Sequence, residues 1–473
     1  MNRTKVICTL GPAVDSVESL SDLLREGMNG ARFNFSHGSH ESHAHTLEML
    51  REACRSTGKD VATILDTKGP EIRICSFILG SCKLAEGDIF TLRTDMIRGT
   101  DREVSVTYDR LAEEVSVGNT VLLDDGLIRM TVEEVSGTKI ICRVQDGGVL
   151  KNNKSICLPE CDIQLPTLTG KDIEDLRFGV EQGFDYVAAS FVRSGEDVRA
   201  IRQTLDRFGG EKIRIISKIE NRQGVNNLEE IIRESDGIMV ARGDLGVEIP
   251  AEEVPPVQKR MIRRARAAGK IVIVATQMLD SMIQNPRPTR AEVSDVANAV
   301  YDRASCVMLS GETASGSYPL GSLKTMVRIL QEAEKEVCRW EQPEMSGDAF
   351  HMETVSDAIT HTGCIMARDL AAKAIVTATK SGFTAKLLAR FCPPCPILAI
   401  TPESAVYRQL MLCWGISPML CEDVATTDEL FALCAKKSRE AGIADTGDTI
   451  VITAGIPMGR TGSTNLIKAE ILK

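Results

Sequence analysis

At 473 residues, with 43% hydrophobic and 26% charged residues, the chain has an ordinary globular balance and too much length for one core; its size suggests about three domains. The formal charge of −10 argues against a general surface for nucleic acid or anionic membrane, so an anionic ligand would need positive charge gathered locally. No apolar run approaches the ~20 residues that span a bilayer, the polar start Met1–Lys5 has no signal-peptide character, and fifteen scattered cysteines suit reduced thiols in a cytoplasmic protein.

Short β-type runs open the chain at Thr4–Leu10, Gly30–Phe35 and Val61–Asp66. After an interruption they resume at Tyr186–Phe191, Arg214–Ile219, Gly237–Ala241, Ile271–Thr276 and Cys306–Leu309, with helix-length spacers between them. That makes eight strands, the count of a (β/α)8 barrel. The interruption reads as a small antiparallel β domain with almost no helical periodicity. Its runs are Phe90–Arg93, Glu103–Val106, Thr120–Leu123, Ile128–Glu133 and Lys139–Val144, and Pro70 and Pro166 stand near its hinges. Beyond a linker at Glu341–Gly347, the runs Ala374–Thr379, Ile397–Thr401 and Thr449–Ala454 predict a third, αβα unit. The expected fold is therefore α/β: a TIM barrel over 1–69 and 167–340, an inserted small β-barrel domain over 70–166, and a C-terminal αβα domain over 341–473. Cys392-Pro-Pro-Cys395 has metal or redox spacing, but with no second Cys or His pair nearby it reads as an incidental loop.

Barrels of this kind carry their chemistry where strands end. Here the ends read Arg32-Phe-Asn34-Phe-Ser36-His37, Asp66-Thr67-Lys68-Gly69, Lys218-Ile-Glu220, Arg242-Gly243-Asp244, Thr276-Gln277 and Ser310-Gly-Glu312. Glu220 and Asp244 follow neighbouring strands and suit one shared hard cation, since Mg²⁺ takes one or two carboxylates plus substrate oxygens. Lys218 and Glu220, two apart on a strand, point to the same face. With Arg32 as a second fixed cation, the set is one that stabilises a phosphoryl group in transfer. No GxxxxGK[ST] motif occurs, so any nucleotide is held by other means. Taken alone, Glu220 and Asp244 also fit a structural ion network, and His40, His43 and His45 read as a solvated helix face.

Seven segments in order then carry a resemblance: Thr4–Pro12, Ala31–Gly38, Leu65–Arg73, Ser217–Asn221, Met239–Glu248, Ala275–Met278 and Met308–Thr313. The chain resembles the pyruvate kinases, of the bacterial type without an extra C-terminal domain. The resemblance implies transfer of phosphate from phosphoenolpyruvate to ADP, giving pyruvate and ATP in the last step of glycolysis, by a cytoplasmic homotetramer. It implies Lys218 and Arg32 at the migrating phosphate, Mg²⁺ (or Mn²⁺) on Glu220 and Asp244, and the backbone of Gly243 and Asp244 at the substrate carboxylate. It places Thr276 near the carbon that is protonated, and Ser310 and Glu312 in a polar proton path. Asn34, Ser36, Asp66 and Thr67 match the K⁺ ligands, and Glu71 accompanies K⁺ dependence. Arg73, His37, Asn34 and Lys154 match nucleotide or phosphate contacts, while Ser315 stands where many relatives carry lysine.

In the last unit, Thr379-Lys380-Ser381-Gly382-Phe-Thr384 runs from a strand into a helix, a turn able to present N–H groups to an anion. It resembles the loop holding a phosphorylated allosteric effector, and Gly459–Ser463 resembles the loop closing over a sugar-phosphate activator. A purely structural turn fits the same residues. The alternative activity is a Mg²⁺-dependent lyase or aldolase of pyruvate-like acids; it needs neither a nucleotide lid nor a K⁺ site.

Overall fold

Runs such as Ala62–Asp66 and Ile271–Ala275 are buried at every position in the computed structural model, as only strands covered on both faces are. The structure describes residues 2–159, 161, 163–337, 352–457 and 463–473. Eight parallel strands close a barrel in the spatial order Lys5–Thr9, Cys306–Leu309, Ile271–Ala275, Gly237–Ala241, Arg214–Ile219, Tyr186–Ala189, Ala62–Asp66, Met28–Asn34. These are the eight runs read from the sequence, with ends shifted by a residue or two. Outer helices start from capping boxes at Ser39, Thr169, Ser194 and Thr289, which satisfy first-turn N–H groups and fix where each loop becomes a helix. Among the described residues, no helix is long and apolar enough to cross a membrane.

The inserted segment has a core of its own, built on Phe90, Leu92, Val121, Met130 and Ile140. Its seven-stranded sheet runs from Ile72–Arg73 at one edge to Glu103–Ser105 at the other. The two edges meet through the Ile74–Val106 bridge, with Cys75 N–H donating to Ser105 O at 2.8 Å and Thr107 N–H to Arg73 O at 2.9 Å, so the sheet closes on itself. It is not wholly antiparallel, because Ile89–Arg93 and Glu103–Ser105 pair in parallel. Ile72–Arg73, Ser81–Leu84, Gly148–Lys151 and Ser155–Cys157 went unread, being too short to show alternation. The C-terminal sheet likewise has five strands rather than three. Ile416–Leu420 and an antiparallel edge strand, Leu466–Ile471, add to those expected. The expected linker Glu341–Gly347 lies outside the described residues.

The C-terminal domain closes the barrel floor. Leu412 lies against Gly30, where an added Cβ would come within 2.9 Å of both Leu412 Cδ2 and Ile7 Cγ1. Around it the barrel interior (Ile64, Tyr186, Ile216, Met308) and the C-terminal residues Leu410, Cys413 and Val451 form one apolar cluster. Polar ties surround it. Tyr186 Oη donates to Gln409 O at 2.7 Å, and Arg408 Nε to Asp185 Oδ1 at 2.9 Å. Lys5 is buried here, donates to Ile416 O at 2.8 Å, and has its pKa drawn down to about 8 by burial. Leu412→Ala should therefore cost about 2–5 kcal/mol, since the site cannot collapse around the lost side chain. Urea unfolding of the full chain measures this, and a midpoint unchanged from the parent would contradict the plug.

Candidate active site

Asp66 ends the third strand with no exposed surface, and its two oxygens hold two cations. Arg32 Nε donates to Oδ2 at 2.6 Å, and Lys218 Nζ to Oδ1 at 3.0 Å. Strand register makes this possible, because Asn34 pairs with Asp66 and Arg32 with Ile64 on adjacent strands. Burial alone would raise the Asp66 carboxyl, but Arg32 and Lys218 overcome it and hold the group below the usual carboxylate value. Lys218 also meets Glu220 Oε1 at 3.0 Å, as expected of residues two apart on one strand. Burial would drag Lys218 down, yet Asp66 and Glu220 together keep it protonated, above the ordinary lysine value.

Glu220 is buried, and burial pushes its carboxyl up to about 7 against the pull of Lys218, with the charge of Asp244 adding to the rise. Asp244 lies in the first turn of the short helix Arg242–Glu248 and is exposed. The cleft walls raise its carboxyl too, and Asp125 and Glu71 of the inserted domain contribute. Three carboxylates against two cations leave the cluster one charge negative. Among the described residues, no group of three or more His, Cys, Asp and Glu side chains is arranged to hold a metal. A pair of oxygen donors short of positive charge fits a hard divalent cation that completes its shell with water and substrate.

The remaining mouth residues fall into separate groups. Thr276 has φ +66°, a region β-branched residues avoid, and such strain concentrates at working sites. Its Oγ1 accepts from Gly243 N–H at 2.8 Å and donates to Ala275 O at 2.6 Å. Glu312 turns inward, each oxygen accepting a backbone N–H, from Leu279 at 3.0 Å and from Ser310 at 2.7 Å. Ser310 Oγ is buried with no hydrogen-bond partner among the described residues. Asn34 Oδ1 accepts from Ser36 N–H at 3.1 Å, and Thr67 Oγ1 from Ser190 N–H at 3.1 Å. On the inserted domain Arg73 donates to Glu71 at 2.8 Å and Lys154 pairs with Asp124 at 2.6 Å. That domain reaches the barrel beside the mouth where Gly126 lies against Val247, where Cys157 Sγ–H donates to Glu248 Oε1 at 2.8 Å, and where Leu165 O accepts from Arg193 Nη2 at 2.7 Å.

His37 is exposed, and its carbonyl accepts from the His43 ring at 2.9 Å. The expectation of a solvated face at His40 and His43 fails. His40 stacks on Phe178 with ring centroids 4.6 Å apart and bonds Asp175 at 2.7 Å, while His43 stacks on Phe35 at 4.1 Å. Phenylalanines on the neighbouring strand and helix cover this face, so the rings gain packing area by turning inward. Only His45 is exposed. In the C-terminal domain Thr379 Oγ1 takes Gly382 N–H at 2.9 Å, buried Thr384 meets Thr464 at 2.7 Å, and Lys380 pairs with Asp423 at 2.7 Å. Of Gly459–Ser463 only Ser463 is among the described residues.

The sequence reading passed over Ser190 and Thr9. Ser190 Oγ accepts from Lys218 Nζ at 2.7 Å and donates to Thr67 O at 2.6 Å; Thr9 Oγ1 accepts from Arg32 Nη1 at 3.1 Å. Next to Ser190, Phe191 (φ +55°) turns its N–H onto Glu220 Oε2 at 2.6 Å.

A closed (β/α)8 barrel whose mouth gathers a pinned lysine, an arginine and two further carboxylates beside an inserted β domain suits a phosphotransferase. The sequence profile "Pyruvate kinase, barrel domain" matches residues 1–323, and "Pyruvate kinase, alpha/beta domain" matches 357–469. The chain is 47% identical to the pyruvate kinase of Clostridium perfringens, over 99% of this chain and all of that protein. It is 44% identical to that of Clostridium acetobutylicum over the whole of both. Against that of Geobacillus stearothermophilus it is 47% identical, over 99% of this chain and 80% of that protein. The chain belongs to the pyruvate kinase family, which decides against the lyase reading.

Ser190→Ala removes one of the three groups that fix the Lys218 ammonium. Losing a hydrogen bond worth about 1 kcal/mol should lower kcat about fivefold. KM should change little, because Arg32 and the charge of Lys218 remain. Steady-state kinetics test this, and an unaltered kcat would remove Ser190 from the site.

Proposed function

We propose that the mouth built on Lys218, Arg32, Asp66, Glu220 and Asp244 is where this chain carries out its family's reaction, transfer of the phosphoryl group of phosphoenolpyruvate to ADP. The supporting observation is the buried ammonium of Lys218, 3.0 Å from both Asp66 and Glu220 and therefore fixed in place. On this reading residues 70–166 act as a lid over the barrel of 1–69 and 167–340, and 341–473 form a regulatory unit.

The phosphate of phosphoenolpyruvate lies against Arg32 and Lys218, and its carboxylate against the backbone N–H groups of Gly243 and Asp244. ADP enters beneath the lid, its phosphates met by Arg73 and Lys154, with His37 and Asn34 on the barrel side. When bound at Glu220 and Asp244, Mg²⁺ (or Mn²⁺) supplies the positive charge that phosphoryl oxygens need in flight. Lys218 follows the migrating group, because its ammonium is preorganised and needs no rearrangement as charge moves from the enol oxygen to the ADP oxygen. The bond from phosphorus to the enol oxygen breaks as the bond to the terminal ADP oxygen forms. The enolate then takes a proton at carbon by way of Thr276 Oγ1, with Ser310 and Glu312 behind it. K⁺ fits the all-oxygen set of Asn34, Ser36, Asp66 and Thr67, near Glu71.

The turn Thr379–Thr384 is the proposed seat of a phosphorylated effector, and a cytoplasmic homotetramer is the proposed working form.

Lys218→Met should abolish ATP formation from phosphoenolpyruvate and ADP in a lactate-dehydrogenase-coupled assay, while circular dichroism stays unchanged. More than about a hundredth of parental activity would exclude the role, since such groups contribute several powers of ten. A second outcome concerns pH. Glu220 must be ionised to hold a cation, and its carboxyl is raised to about 7. The affinity of the ligand-free protein for Mg²⁺ should thus fall as pH drops from 8 to 6, by up to about tenfold per unit once below 7. Calorimetric titration at several pH values checks this, and a flat profile would contradict the assignment.

A further inference from the structure

On the barrel floor, opposite the mouth, five cations line one small cavity at the seam with the C-terminal domain. Arg266, Lys270 and Arg303 come from the barrel, and Lys386 and Arg390 from the C-terminal side. Cys392, Cys413, Trp414 and small residues complete the wall, and no carboxylate lines it. The two sides touch here: Gly269 packs against Leu387, and Arg390 Nη1 reaches Ala267 O at 3.4 Å.

The carboxylates around the cavity each have a cation partner of their own, although Asp302 keeps one buried oxygen, Oδ2, without a hydrogen-bond partner among the described residues. Asp357 pairs with Arg390 at 2.8 Å. Asp302, whose charge acts on Arg266, is bound to Lys259 at 2.5 Å, and Asp236, facing Lys270, to Arg214 at 3.2 Å. Lys270 itself donates to Ser235 O at 2.6 Å. Arg303 is left, 7% exposed, with a guanidinium that makes no hydrogen bond or ion pair to any described residue. Half-buried Lys386 also has no such partner. Repulsion adds to burial: Lys386 lowers Lys270, and Arg303 lowers Arg266, each after the larger effect of desolvation. In a chain of net charge −10, a buried unpaired arginine among four other cations is a costly arrangement unless an anion completes it.

We propose that this seam cavity binds a compact oxyanion of the phosphate type, held between Arg303 of the barrel and Lys386 of the C-terminal domain. The enclosed part of the cavity is small, about 20 Å³, and it opens to solvent, so the anion sits at the rim, where only a compact oxyanion such as inorganic phosphate or the head of a small phosphate monoester can be met from both walls. Guanidinium and ammonium groups from opposite walls meet the oxyanion with charge-assisted hydrogen bonds. Because it contacts both domains, its binding stabilises their docking.

The test uses the full chain carrying Lys218→Met and Thr384→Glu, which weakens the mouth and the effector turn as phosphate sites, so that the further substitutions below report the seam alone. Calorimetry and thermal melting are run with inorganic phosphate and with glycerol 3-phosphate, against chloride at equal ionic strength. One phosphate should bind per chain and raise the melting temperature in proportion to its occupancy. Adding Arg303→Gln or Lys386→Glu should each weaken binding at least tenfold and remove the thermal shift. Binding of both probes would assign a monoester, and binding of phosphate alone a free anion. Absence of phosphate binding in the double variant, or binding that neither further substitution weakens, would overturn the site. Should Arg303→Gln not fold, Lys386→Glu on the outer wall decides alone.

Discussion

The carboxylate of Asp66 is the constraint on which the mouth depends. Two cations 2.6 and 3.0 Å from its oxygens would otherwise repel each other in a buried space. With Asp66 between them, Arg32 and Lys218 can both aim toward one volume, and their charge outlasts burial. Such a bridge is weak as a source of stability, since desolvating three charges offsets much of the attraction. Its value is geometric. It ties the second, third and fifth strands at their carboxyl ends, so strand register itself sets the spacing between guanidinium and ammonium.

Most of this was legible because barrel chemistry follows a rule of position. Where a buried β run stops, the next side chains face the mouth. Arg32, Asp66, Lys218, Glu220 and Asp244 could be read that way, and the structure gathers them. Ser190 could not. It lies inside the sequence run Tyr186–Phe191, one small hydroxyl before a phenylalanine; the strand stops at Ala189, and only its position across from Lys218 gives Ser190 a role. The same limit explains the histidines. A polar string at a helix start looks solvated until Phe35 and Phe178, from a strand and a different helix, cover it. Edge strands escaped for another reason: Leu466–Ile471 is only half-buried and mixes polar with apolar residues, so its pattern resembles a loop.

The inserted segment could be read as a β domain, and the resemblance turns its Arg73 and Lys154 toward a nucleotide, but how it packs on the barrel could not be read. One contact between the two runs through Cys157 and Glu248, at the far end of the helix that carries Asp244 in its first turn. Glu248 is raised by burial and accepts the thiol's hydrogen bond, so lid position and Arg242–Glu248 are mechanically joined. Cys157 ends a strand too short to read and Glu248 closes the segment Met239–Glu248, but no periodicity or spacing marks the two as a pair.

At the floor the constraint is steric rather than electrostatic. Leu412 fills space above Gly30 that no side chain on that strand could share, and one apolar cluster runs from the C-terminal helices into the barrel. Close-packed interiors do not yield gradually. If the C-terminal domain moves relative to the barrel, either Leu412 withdraws and leaves a cavity costing several kcal/mol, or the strands move with it. Withdrawal would also break the Tyr186–Gln409 and Arg408–Asp185 ties, leaving the buried Tyr186 hydroxyl unpaired and the Asp185 carboxylate with only its Thr63 hydrogen bonds and no cation. The strands packed on the C-terminal domain carry Asp66 and Lys218 at their opposite ends, so the floor and the mouth are built on the same elements.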